Sequence, residues 1–339
     1  MRVCSTLSSF ALVLFLTTSS ALVAAQASYT ISDLGTLGGY SVSRGVNVAG
    51  QVTGATGAGA QSEAFLYSNG SMTNLGTLGG TSGIGNAINT SGQVAGYSQN
   101  ASGTYRAFLS SGSNLLDIGD LGGGSAVGYG INDLGHVVGS AVTTNGENHP
   151  FLYRDGRMID LGTLGSSGND WWNVASGINN SGVVTGTSYD TQGNFFGFVW
   201  KNGKMIKMGT LGGLWSQGYA INNKGQVTGV GYTKNGSAHA FITNCPTCPL
   251  KDLGTFAGST STVWGFAIND SGVVVGQSTF GGTYHAFVYS SGKIKDLNKM
   301  IPAGSGWVLI EAQGINAAGQ ITGMGMHNGQ EHAYLLTPQ

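Results

Sequence analysis

The chain has 339 residues, 60 of them Gly and only 9% charged, with 14 basic side chains against 15 acidic ones. Long surface helices need Glu, Lys, Arg and Ala in quantity, so this composition points to an all-β domain. The balanced charge leaves no electrostatic footprint for nucleic acid or an anionic membrane.

Residues 1–27 read as a secretory signal peptide. Arg2 supplies the positive start and Phe10 to Leu16 the apolar segment. Ala25-Gln26-Ala27 then places small residues before a cut at Ser28. The apolar stretch is too short for a membrane span and no second one follows, so an exported monomer without a membrane span is expected. Removal of the leader takes Arg2 and Cys4 with it, leaving 13 basic residues against 15 acidic. The product is expected in the periplasm or outside the cell.

From Ser28 to the end the sequence is periodic. A core of small residue, Val/Ile, Asn, two variable residues, Gly and an apolar run ending in Gly recurs seven times. It reads GVNVAGQVTG from Gly45 and ends as GINAAGQITG from Gly314. Its Asn residues are 47, 89, 132, 179, 222, 269 and 316, a period of 42 to 47. A second block follows each core: EAFLY at Glu63, RAFLS at Arg106, HPFLY at His149, FGFVW at Phe196, HAFIT at His239, HAFVY at His285 and HAYLL at His332. A third, LGTLGG or a variant, comes next, and degrades to DLNKMIPAGSGW before the last unit.

Each unit reads as four short strands, a to d. Strand a ends at Val/Ile-Asn, b is the Gln-Val-Thr-Gly run, c is the AFLY block, and d runs through segments such as Met158 to Leu161. Asn-x-x-Gly supplies the turn between a and b, and Asn69-Gly70, Asn202-Gly203 and Ser291-Gly292 mark hairpins between c and d. Strand c is apolar on both faces, as in a sheet sandwiched between neighbouring sheets. Small residues two and four places before each Asn suit a crowded innermost strand.

The mature chain begins with a strand d (SYTISDLG) and ends with a strand c (HAYLLTPQ). The strand missing from the last unit is the surplus strand of the first, so the units should close into a ring without a free sheet edge. The expected architecture is a single seven-bladed β-propeller over residues 28–339. The HAFIT and HAFVY blocks, the DLGTLGG block and the AIN-x-x-G core resemble the HAF-repeat family of exported bacterial proteins. That resemblance implies an extracellular repeat protein, and neither an activity nor catalytic residues to carry over.

The residues offer little chemistry. Cys245 and Cys248 are read as a small disulfide pinning one turn, since zinc would need two further ligands. The repeated His, Asn and Asp side chains are read as scaffold: blade-end contacts, turns, and bonds to backbone amides before Gly. No G-x-S-x-G, H-E-x-x-H or Walker sequence is present. No catalytic residue, metal or cofactor is therefore assigned.

Aromatics are distributed more tellingly. Trp171, Trp172, Trp215, Trp264 and Trp307 all lie in or just after the d–a connection, and Tyr40 holds the same repeat position as Trp172 and Trp215. Strand alternation puts these six, with the variable b–c loops, on one end of the ring, opposite a plain end of Asn/Gly turns. Two readings stay open for them: rings wedged between blades, or a face that binds a glycan or protein. A glycan hydrolase or lyase using acidic residues of that face, or a purely structural surface component, are the alternatives.

Overall fold

A computed structural model describes residues 28–58, 61–112, 114–165, 171–256 and 261–339. The expected leader, residues 1–27, lies outside the described residues. The described chain forms seven four-stranded antiparallel sheets, and its one helical element is the short 3-10 turn Leu297–Lys299. No helix among the described residues is long and apolar enough to cross a membrane.

Blade 1 shows the pattern: strand a Tyr40–Val46, b Val52–Ala58, c Gln61–Ser68 and d Ser71–Asn74. Blades 2 to 6 repeat it in chain order. Blade 7 takes strands a to c from Trp307–Ile315, Ile321–His327 and Gln330–Pro338, and its strand d is Tyr29–Asp33. The two chain ends pair antiparallel, from Tyr29 opposite Pro338 to Asp33 opposite Tyr334. The fold is a seven-bladed β-propeller whose ring closes through its termini.

The repeat motif supplies the core. The aromatic ring of each HAF-type block, from Phe65 to Phe287 and then Tyr334, is fully buried. A Val on strand b, from Val52 to Val274 and then Ile321, is equally enclosed. These two stack with the apolar residue after strand d, such as Leu34 or Leu75, between adjacent blades. Tyr334 carries a hydroxyl where the others carry none, and it donates that proton to the Glu311 carbonyl at 2.8 Å.

The turns form as their residues dictate. Asn69-Gly70, Asn202-Gly203 and Ser291-Gly292 all have positive φ at both positions, the geometry a two-residue hairpin needs to match strand twist. Cys245 and Cys248 are disulfide-bonded across the turn that follows strand c of blade 5. Strand b runs past the Gly that ends the repeated motif, to Ala58 in blade 1 and Thr143 in blade 3.

Candidate functional site

That mid-strand Gly is the key to the ring's centre. In every blade the pairing of strands a and b slips by one residue just before the repeat Asn. In blade 1, Ser43 faces Gly54 and Gly45 faces Thr53, so Arg44 between them has no partner. The same β-bulge leaves Asn86, Tyr129, Ser176, Tyr219, Phe266 and Gln313 unpaired in blades 2 to 7. The bulge drives a strand-a carbonyl toward strand b. A Cβ on Gly54 would sit 2.0 Å from the Val42 oxygen, and on Gly276 1.8 Å from the Trp264 oxygen. Only Gly fits opposite such a bulge.

The seven bulged residues line one cavity at the end of the ring where the d–a connections lie, together with Trp171, Trp172, Val174 and Thr187. Its volume is about 440 Å³. Each blade thus sends one side chain inward, and the repeat does not dictate which. Burial pushes the Tyr129 and Tyr219 phenols above their ordinary range, so both are neutral hydroxyls. The Asn86 amide donates to the Gly128 carbonyl at 2.7 Å, and Tyr219 donates to Gln217 Oε1. Arg44 is the one charged side chain among the described residues of the lining, and none of them is Asp or Glu. The carboxylate pair that glycan hydrolysis needs across a groove is therefore not found among them. Asp170, which precedes Trp171 in the sequence, lies outside the described residues.

The six aromatic residues singled out in the sequence divide. Trp171 and Trp172 line the cavity and are 77% and 50% exposed. They lie in a turn before strand a of blade 4, which begins at Val174, so both rings escape the alternation a strand would impose. Trp215 shares a repeat position with Trp172 but packs between Phe195 and Tyr232, at centroid distances of 4.8 and 4.0 Å. The cause is chain length: eighteen positions separate Leu161 from Asn179, against fourteen from Met208 to Asn222. The longer connection lifts Trp172 off the sheet. Trp264 leans on Tyr284, and Trp307 stacks on His327 at 4.5 Å. Tyr40 is half-buried at the start of strand a, and none of these last four lines the cavity.

Outside the cavity, strands c and d are tied by one side-chain pair per blade. Asn74 donates to Glu63 at 2.6 Å, Arg106 pairs with Asp117 at 2.9 Å, and the Lys207 ammonium sits 3.3 Å over the Phe196 ring. His149, His239, His285 and His332 meet Asp160, Asp252, Asp296 and Asp33 at 2.8–3.0 Å. The same Asp residues accept the backbone N–H two places on, as with Gly35, Gly162 and Gly254. At the ring closure His327 also reaches Asp33, at 2.8 Å. Asp33, His327 and His332 are the one described trio close enough to hold a metal ion, and their nitrogens already hydrogen-bond the shared carboxylate.

At the opposite end the repeat Asn residues do more than shape turns. Each Oδ1 accepts backbone N–H groups of its own turn, as from Ser181 and Val183 onto Asn179. Each Nδ2 donates to the backbone carbonyl of the next blade's Asn, and Asn316 donates to Asn47. The circle holds seven such bonds of 2.9–3.2 Å. Turn chemistry accounts for the oxygen and not for this closed belt.

No protein-family model matches the chain, and no curated protein matches it. Among solved structures it is similar to the Mycobacterium tuberculosis puromycin-hydrolyzing peptidase, with a TM-score of 0.54 and 11% identity over 82% of this chain and 47% of that one. It is similar also to the Pyrococcus horikoshii acylaminoacyl peptidase, with a TM-score of 0.50 and 14% identity over 88% of this chain and 51% of that one. The WD40 propeller domain of Doa1 gives a TM-score of 0.50 and 14% identity over 90% of this chain and 96% of that one. The chain thus spans about half the length of both peptidases, and at these identities the likeness extends to the propeller fold alone.

Proposed function

We propose that the chain is an exported binding module of the HAF-repeat type that holds a glycan ligand in its axial cavity without transforming it. One observation carries this reading. All seven blades bulge at one residue, aim it inward, and fill that position with seven side chains of six types, four of the seven non-aromatic and polar or charged and three aromatic. A scaffold needs uniform turns and cores; a ring of dissimilar groups on a uniform scaffold is how a binding site is built. Aromatic faces beside neutral amide and hydroxyl groups suit a pyranose, which offers an apolar face and a rim of hydroxyls.

The test is a glycan array probed with the mature protein, the Trp171→Ala, Trp172→Ala double variant and Trp215→Ala. The cavity reading expects binding that is lost in the double variant and kept in Trp215→Ala. Absence of any binding by the wild type, or loss only with Trp215→Ala, overturns it. A hydrolase would instead release reducing ends on prolonged incubation.

A further inference from the structure

Arg44 stands apart from every other charged group that the ring of blades encloses. It forms no hydrogen bond and no ion pair with any described residue, and its Nε is shielded from solvent without a partner. Elsewhere this chain pairs such groups carefully. Arg106 holds Asp117, Asp120 and the Gly124 carbonyl, and Lys207 holds Asp190 at 3.0 Å. A guanidinium with its Nε–H shielded is costly to keep, because that donor has left water without finding an acceptor. None of the described residues that line the cavity with it supplies an opposing charge: Tyr129 and Tyr219 are neutral phenols, Phe266 and the two Trp residues are apolar rings, and Gln313 is a neutral amide.

Resting on the proposed glycan reading, we infer that the ligand is an acidic sugar whose single carboxylate is taken by the Arg44 guanidinium. A planar fork of donors matches a carboxylate in bidentate fashion. One cation with no second basic group in the described lining suits a monoanion such as a uronic acid, whereas a phosphate or polyanion would call for several. The neutral phenols of Tyr129 and Tyr219 add no charge that would oppose the pairing.

The experiment titrates the mature protein with disaccharides that carry one galacturonate or glucuronate residue and with the same disaccharides after carboxyl reduction, by calorimetry. Wild type should bind the acidic forms about tenfold to a hundredfold more tightly than the reduced ones. Arg44→Gln should erase that preference by weakening the acidic forms far more than the reduced ones, while Arg44→Lys keeps charge without the fork and falls between. Since Arg44 has no hydrogen-bond or ion-pair partner to lose among the described residues, Arg44→Gln should melt no lower than wild type. Equal affinity for acidic and reduced sugars, unmoved by Arg44→Gln, overturns the inference and leaves the glycan reading intact. Failure of wild type to bind either form, or any array glycan, overturns both. A markedly lowered melting temperature in Arg44→Gln would show that the guanidinium has a structural partner and would equally refute the assignment.

Discussion

Asn179→Asp separates the two roles of the repeat asparagine. The side chain is 4% exposed and makes three hydrogen bonds: Oδ1 accepts from Ser181 at 3.1 Å and from Val183 at 3.0 Å, and Nδ2 donates to the Asn222 carbonyl at 3.1 Å. At about 1 kcal/mol net for each, Asn179→Ala should cost about 3 kcal/mol. An unfolding entropy of about 2.1 cal/mol/K per residue, over the 312 residues from Ser28 to Gln339, makes that a fall in Tm of about 5 °C. Aspartate serves an Asx turn as well as asparagine does, so a turn-only role predicts a near-silent Asn179→Asp. The interblade belt predicts otherwise: the variant loses its donor and sets a carboxylate oxygen against the Asn222 carbonyl. A loss of about 2 kcal/mol or more is expected at pH 7, where the desolvated charge adds to the missing bond. That repulsion raises the folded pKa of the new carboxyl, so the variant should regain stability relative to wild type as pH falls and the group takes up a proton it can donate. Thermal melts by circular dichroism at pH 7 and pH 4.5 decide it. An Asn179→Asp that melts with wild type at pH 7 refutes the belt.

Asp33 makes a second pH-dependent link, at the ring closure. Burial alone would raise its pKa, but the Gly35 N–H and the His332 and His327 imidazoles outweigh this and hold it below the ordinary 3.8. A depressed carboxylate contributes stability above its unfolded pKa and loses it as pH falls through the folded value. Urea midpoints at pH 5 and pH 3 should therefore drop less in Asp33→Asn than in wild type, and equal drops would exclude the linkage. Trp215→Ala, which empties a three-ring stack, should lower stability by about 3 kcal/mol in chemical denaturation, whereas exposed Trp171→Ala should change it by under about 0.5 kcal/mol. Gly276→Ala would place a methyl 1.8 Å from the Trp264 oxygen, and should prevent recovery of folded protein on expression; a soluble, normally melting variant would contradict the bulge geometry.

Short-range regularities made the architecture legible before any coordinates. Asn-x-x-Gly turns, hairpin Asn-Gly pairs, doubly apolar strands c and the orphan strands at Tyr29 and His332 each report local backbone geometry, and seven copies of one geometry with matching ends leave a closed ring. The disulfide turn and the Asp-to-amide bonds were legible for the same reason, since their partners lie two or three residues away. The signal of the bulge was present too, in the Gly inside every strand b, but a Gly there reads equally as the end of a strand. What only the tertiary structure decided depends on partners 42 to 47 residues or a whole ring apart: the Asn belt, the Asp33–His327 contact and the convergence of Arg44 with Tyr129, Tyr219 and Phe266. Aromatic spacing placed six rings on the right end of the ring. It could not tell Trp172 from Trp215, because identical repeat positions diverge once a connection lengthens and the chain leaves the sheet. The axial cavity is thus a property of the closed ring, where one bulge repeated seven times brings seven separate residues to one lining.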